Sequence, residues 1–222
     1  MNYRERADNL FLWASEQPRA SIEWERHSKD VALVCEKIAE KAGMDVDLAY
    51  AKGLLHDIYK SIERDNEITV VINGKKTMAM THPCNGYRLL LEKDFPEAAR
   101  AALTHAFYDV YENGLGYDDR LTPEDVELLK EWLGKNEFDA YDKLVQLADN
   151  MASWKGIMTI NDRFCDILLR HPVARPHDAL VKLYELKDYF DEKTNGNIYE
   201  LFKEEILETA ITEPTRKNEF VA

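Results

Sequence analysis

Cysteine is scarce and unpaired in this sequence. Cys35, Cys84 and Cys165 are odd in number, widely spaced and in no CxxC arrangement. That excludes a disulfide framework and is the usage of reduced thiols in a cytoplasmic protein. Basic charge is also short: 29 Lys and Arg stand against 42 Asp and Glu, for a formal charge of −13. General nucleic-acid and anionic-membrane binding need a basic face, so neither partner is expected. A small phosphorylated substrate is still admissible, because a metal pair can supply positive charge locally. Long apolar runs, internal repeats and low-complexity segments are missing, and the N-terminus, with Arg4, Glu5, Arg6 and Asp8, lacks the character of a signal peptide. The 222 residues suffice for one large domain with a substantial core.

Helical periodicity dominates what is present. Tyr3 to Glu16 reads as an amphipathic helix with Leu10, Phe11, Trp13 and Ala14 inward. Ser21 is an N-cap for a second helix that runs to Ala42 and stops at Gly43. On it, His27, Val31, Val34 and Ile38 keep the spacing of one face, so His27 points inward. Asp45 or Asp47 caps a third helix, with Leu48, Ala51, Leu55 and Ile58 on one stripe. Gly53 on that helix costs about 1 kcal/mol against alanine, and marks a close approach of another helix or of a metal cluster. The run Ile68 to Ile72, then Asn73-Gly74, then Lys75 to Met80 is a β-hairpin signal with a type I′ turn. Such a ribbon could flank a substrate cleft, with Lys75 and Lys76 at its turn.

Thr81-His82-Pro83 opens the next helix, with His82, Gly86, Leu89 and Leu90 on one side. Pro96 starts another, in which Ala98, Ala101, Ala102 and His105 line up as a thin wall. Tyr108 to Asp119 reads as a loop beside His105. Thr122-Pro123 begins a further helix. Beyond it, Tyr141, Leu144, Val145, Ala148 and Ala152 form an apolar stripe that contains Asp149. Ile160 to Leu169, Ala179 to Phe190 and Ile198 to Thr209 are amphipathic, and a polar tail begins at Glu213.

The chemistry gathers at Leu54-Leu55-His56-Asp57-Ile58-Tyr59-Lys60, where a helical apolar run ends in adjacent histidine and aspartate. The same dipeptide recurs at His177-Asp178, after Pro176 and with no apolar run before it, where Asp178 reads as a helix cap or first-turn acid. What sets the first pair apart is its company: His27 before it, then His82, His105 and Asp149. One inward histidine is ordinarily a hydrogen-bonded core residue. Several imidazoles and two carboxylates converging inside a helical domain need a shared positive ligand. Such donors suit iron, zinc, manganese or cobalt. Six of them exceed what one catalytic metal takes from protein, so two metals and a bridging carboxylate fit better. Lys60, one helical turn past Asp57, can reach the edge of such a cluster without ligating it; its other reading is a helix-end lysine extended into solvent.

The order His27, His56-Asp57, His82, His105, Asp149 resembles the HD domain superfamily of metal-dependent phosphohydrolases, over about His27 to Ala152, and HDIYK fits its HDxxK core. The histidines in HPCNGYRLL and LTHAF are similar to those of the binuclear branch, which includes bacterial HD hydrolases that cleave diadenosine tetraphosphate symmetrically. That branch usually carries a threonine- and glycine-containing stretch after its last histidine; here the residues are Ala106-Phe107-Tyr108-Asp109. The resemblance implies an all-α HD-domain helical bundle with a small β-hairpin insertion at about residues 68–80. It implies one HD-type domain over 1–222, with a core at 21–155, an N-terminal helix at 3–17 and C-terminal helices at 156–212 as additions. It implies metal binding by His27, His56, Asp57 and Asp149 at one site, and by His82 and His105 with Asp57 bridging at a second.

The implied cofactors are two divalent or mixed-valence transition metal ions, iron foremost, with manganese, zinc, cobalt and nickel as alternatives. Asp57 and Lys60 are the expected catalytic residues. The expected reaction is hydrolysis of a phosphate ester or phosphoanhydride, of a nucleotide or dinucleoside polyphosphate, by a metal-activated hydroxide. HD-type di-iron oxygenases share the ligand set, and a non-catalytic metal- or ligand-binding HD module is the third class. The two His-Asp pairs are separable by experiment. Asp57→Asn should abolish activity and lower metal content, because a neutral amide bridges poorly, whereas Asp178→Asn should leave both nearly intact. Metal analysis of the two purified variants decides it, and equal losses would overturn the choice of site.

Overall fold

The structure, a computed structural model, describes residues 2–62, 69–72, 75–78, 80–106, 121–170 and 177–211, with backbone alone at 69–72, 75–78, 168–170 and 177–178. The Asn73-Gly74 turn, the 108–119 loop, His171 and the tail from Glu213 lie outside the described residues. Among the described residues the α-helices are α1 (Tyr3–Ser15), α2 (Ile22–Ala42), α3 (Val46–Leu55), α4 (His82–Glu92), α5 (Pro96–Thr104), α6 (Pro123–Leu133), α7 (Ala140–Asp149), α8 (Ile160–Arg170), α9 (His177–Thr194) and α10 (Lys203–Ile211). The all-α expectation holds, and no helix among the described residues is long and apolar enough to cross a membrane.

Local chemistry explains most of the helix ends. The Ser21 hydroxyl accepts the Trp24 N–H at the start of α2, and Gly43 ends that helix in the left-handed region at φ 68°. Asp45, the first of the two candidate caps, accepts the Leu48 N–H at α3. Asn2 with Glu5, and Asp139 with Asp142, form reciprocal capping boxes on α1 and α7. Thr122 caps α6, and prolines open α5 and α6.

Helix α3 is the axis of the bundle, packed against α1, α2, α5 and α7. One part of the core lies where α2 and α7 meet α9 and a 3₁₀ segment, Ile198–Phe202, around Val34, Ile38, Leu144, Phe190 and Phe202. A second joins α1 to α3 and α5 around Phe11, Trp24, Leu54, Leu55, Ile58 and Ala102. A third, with Cys84, Leu103, Leu129 and Trp132, seats α6.

The antiparallel ribbon β1 (Thr69–Ile72) and β2 (Lys75–Met78) pairs Thr69 with Met78 and Ile72 with Lys75, as the hairpin signal requires. A second ribbon, β3 (Ala152–Ser153) with β4 (Gly156–Ile157), replaces the end of the apolar stripe that the sequence extends to Ala152. Helix α7 stops at Asp149, and Asn150 turns the chain. Gly156, at φ 137°, is needed there: a Cβ would fall 2.5 Å from Thr209 Oγ1. The last helix is also corrected, since Ile198–Phe202 is 3₁₀ and only Lys203–Ile211 is α.

The expectation that Ile58 and Lys60 continue the α3 helix is overturned. Helix α3 ends at Leu55, Asp57 leaves helical geometry at φ −109° and ψ 16°, and Ile58–Ser61 forms a 3₁₀ turn. Gly53 serves helix packing. A Cβ there would stand 2.9 Å from Ala32 Cα, 3.0 Å from Cys35 Sγ and 3.1 Å from the Val31 oxygen on α2. Gly53→Ala would gain about 1 kcal/mol in helix propensity. It would lose roughly 2–3 kcal/mol, the upper part of the overpacking range, because two of the three contacts are to backbone, so a net destabilisation of about 1–2 kcal/mol is expected. Denaturant unfolding of the two proteins measures it, and an unchanged midpoint would show that α2 and α3 can separate freely.

Candidate metal centre

Five elements meet beside the end of α3. His27 comes from the second turn of α2, His56 caps the C-terminus of α3, and Asp57 is the next residue. His82 opens α4, His105 caps the C-terminus of α5, and Asp149 closes α7. His56, Asp57 and His105 are essentially inaccessible, at 0%, 1% and 2% exposure. All six candidate ligands are therefore brought together, whereas the His177-Asp178 pair opens α9.

The two oxygens of Asp57 divide the cluster. Oδ2 lies 3.5 Å from His27 Nε2 and 3.4 Å from His56 Nε2. Oδ1 lies 3.5 Å from His82 Nε2 and 3.4 Å from His105 Nε2. Asp149 Oδ1 joins the first group only, 3.1 Å from His27 Nε2 and 3.7 Å from His56 Nε2. Two groups of donors thus share one carboxylate. Donor atoms bound to a transition metal at about 2.0–2.2 Å stand roughly 3.0–3.6 Å apart, and all of these separations but the 3.7 Å between His56 and Asp149 fall in that range.

The ring orientations favour the same reading. His56 Nδ1 lies 2.7 Å from the Gly53 carbonyl, and His105 Nδ1 lies 2.8 Å from the Ala102 carbonyl. Each ring therefore donates its Nδ1–H to the last turn of its own helix and turns the Nε2 lone pair toward Asp57. His56 Nε2 and Asp57 Oδ1 are buried without a hydrogen-bond partner. Buried polar atoms without hydrogen bonds are costly, and a cation held by them would remove the cost.

Electrostatics follow from this crowding. Burial opposes charge on His56, but the Asp57 and Asp149 carboxylates outweigh it and raise its pKa to about 9. Burial likewise works against ionised Asp57, yet Lys60 and the surrounding histidines hold its carboxyl well below the usual range. Asp149 is held low in the same way by His27 and His56. Lys60 pairs directly with Asp57 Oδ2, nearer than the cluster-edge position expected of it. The 3₁₀ turn carries its ammonium back over the carboxylate, with 39% of the side chain exposed.

Trp24 was not singled out from the sequence. Its indole Nε1–H donates to the Asp57 carbonyl at 3.0 Å. The available signal was its place one turn before His27 on the same helix. Gln146 was also unforeseen; its amide donates to the Thr104 carbonyl at 2.9 Å and ties α7 to the end of α5, next to His105.

The sequence model of the HD domain family matches residues 24–154, the span that contains every group in this cluster. The chain belongs to the HD domain family, a superfamily of metal-dependent phosphohydrolases. Ribonuclease Y of Lawsonia intracellularis (strain PHE/MN1-00) is 34% identical over 88 residues, covering 36% of this chain and 16% of that protein. The chain thus spans only a small part of the length of the curated relative it matches. No solved structure matches it significantly.

A pH dependence of metal uptake follows from His56. In the metal-free protein its raised pKa contributes stability that is complete below about pH 6.5 and is lost as pH rises through about 9. A cation needs the neutral ring, so loading at pH 7 should release a proton, and affinity should rise about tenfold per pH unit toward pH 9. Manganese titration calorimetry in two buffers of different ionisation enthalpy reads both effects. An affinity independent of pH would mean that the metal-free ring is already neutral.

Proposed function

We propose that this chain is a metal-dependent phosphohydrolase with a two-cation centre, acting on a phosphate ester or phosphoanhydride of a nucleotide or dinucleoside polyphosphate. The observation that carries this reading is the division of Asp57, one oxygen toward His27 and His56 and the other toward His82 and His105. In the proposal His27, His56, Asp57 and Asp149 hold one cation, and His82, His105 and Asp57 hold the other. A bound pair of this kind lowers the pKa of water and stabilises the charge of an in-line displacement at phosphorus. Iron is the first candidate, and manganese, zinc, cobalt and nickel also suit imidazole with carboxylate.

The chain's own groups complete the site. Nδ1–H donation to Gly53 and Ala102 keeps His56 and His105 in one tautomer and orientation. Lys60 is tethered on a short turn beside Asp57 and has an exposed flank. It can swing from the carboxylate to a phosphoryl oxygen of the substrate. The acidic balance of the chain, −13, favours a substrate with few charges over an extended polyanion.

The second reading rests on the relative named Ribonuclease Y, and would make the substrate a phosphodiester of RNA. Metal analysis of protein purified without added metal, and assay of that sample on nucleotides, dinucleoside polyphosphates and short RNAs, tests both. Preferred turnover of RNA would replace the nucleotide reading, and oxygen consumption without phosphate release would replace hydrolysis. On the best phosphorylated substrate, Lys60→Ala should keep metal content and fold while losing on the order of 2–4 kcal/mol of transition-state stabilisation. An unchanged kcat/KM would leave Lys60 as a charge partner of Asp57 alone.

A further inference from the structure

Asp57 is the one residue shared by both halves of the cluster, and its backbone belongs to no regular helix. Its φ of −109° and ψ of 16° are set between the end of α3 and the 3₁₀ turn. The direction of its carboxylate therefore depends on what holds its peptide. Two donors do so from different sides. The Lys60 N–H reaches the Asp57 carbonyl at 2.9 Å within the 3₁₀ turn, and the Trp24 indole N–H reaches it at 3.0 Å from α2.

Trp24 is itself held from outside the region that matches the family. Its ring stacks on Phe11 of α1, with centroids 4.9 Å apart and planes 24° from parallel. Helix α1 is fixed in turn by Arg4, whose guanidinium bonds Glu36 on α2 at 2.6 Å and lies 3.8 Å over the Tyr50 ring of α3. The 3₁₀ turn has a second tie to this end of the chain, because the Arg19 N–H donates to the Ser61 carbonyl at 3.1 Å.

We propose that Trp24 is a positioning residue for the bridging carboxylate, and that its indole N–H on the Asp57 carbonyl sets the affinity of the His82–His105 cation site. The two sites are not equally exposed to an error at Asp57. The first has Asp149 as a further carboxylate, 3.1 Å from His27 Nε2. At the second, Asp57 Oδ1 is the anionic donor grouped with His82 and His105 among the described residues. A small rotation of Asp57 removes the negative charge from the second site and leaves the first with another. The inference rests on the two-cation reading above.

Trp24→Phe keeps a ring to stack on Phe11 and deletes the N–H. Phe11→Leu loosens the stack and keeps the N–H. Titration of metal-free protein with manganese, followed by electron paramagnetic resonance, separates the first equivalent from the second and detects exchange coupling between them. Trp24→Phe should bind the second equivalent about ten to one hundredfold more weakly and lose the coupled signal, as outer-shell changes do, while the first changes less than threefold. Phe11→Leu should lower thermal stability and leave the second affinity within threefold of wild type.

The unsubstituted protein supplies a readout that needs no folded variant. The Trp24 indole N–H should exchange with solvent at least tenfold more slowly than that of Trp154, and slow further as the second equivalent binds. A wild-type protein that holds one equivalent overturns the two-cation reading and this proposal with it. A wild type that holds two, matched by Trp24→Phe in second affinity and coupling, overturns the proposal alone. Exchange at Trp24 as fast as at Trp154 does the same.

Discussion

A carboxylate with no exposed surface lies among four imidazoles, and the arrangement of the fold serves to make that tolerable. Removing a carboxylate from water is expensive unless it is paired and hydrogen-bonded. Asp57 meets the condition in part, with Lys60 on Oδ2 and histidines around both oxygens, while Oδ1 is left without a hydrogen bond. Its neighbours answer the same constraint, since Asp149 faces His27 and His56 from the end of α7.

Helix ends supply most of the donors, and this has a physical basis. His56 and His105 cap the C-termini of α3 and α5, and Asp149 is the last residue of α7. The last turn of a helix leaves carbonyl groups without intrahelical partners, and two of these, Gly53 and Ala102, accept the Nδ1–H of His56 and His105. The same ends carry partial negative charge, which favours a cation close by. The termini of α3 and α5 thus both orient a ring and favour positive charge, and the terminus of α7 does the second.

Behind the donors, polar ties fix the helices relative to one another. Arg100 on α5 pairs with buried Asp142 at the start of α7, and Thr104 lies 3.2 Å from the other oxygen of Asp142. Gln146 then reaches back to Thr104. These contacts hold His105 and Asp149, which serve different halves of the cluster, on one frame. The close approach of α3 to α2 at Gly53 does the same for His56 and His27. On the far side of α4, Arg88 and buried Asp125, 2.9 Å apart, tie α6 to the helix that His82 opens.

By itself the sequence determined the helix order, most caps, the hairpin and the six chemical residues. Those properties are local, or follow from the periodicity of one segment: Ser21 and Gly43 bound α2 by their own chemistry, and His27 falls on the inward stripe by spacing. The hydrogen bond from Trp24 to the Asp57 carbonyl was not legible, because 33 positions separate them and neither residue announces the other. The break after Leu55 was hidden for a similar reason. Ile58 continues the apolar stripe, so periodicity carried the helix onward, whereas the chain forms a 3₁₀ turn packed on α4 and α1. The β3–β4 ribbon is too short to show a period, and it forms where Gly156 meets Thr209 of α10. Which oxygen of Asp57 faces which histidines was decided by the tertiary structure alone, since it depends on the relative placement of four helices and one turn.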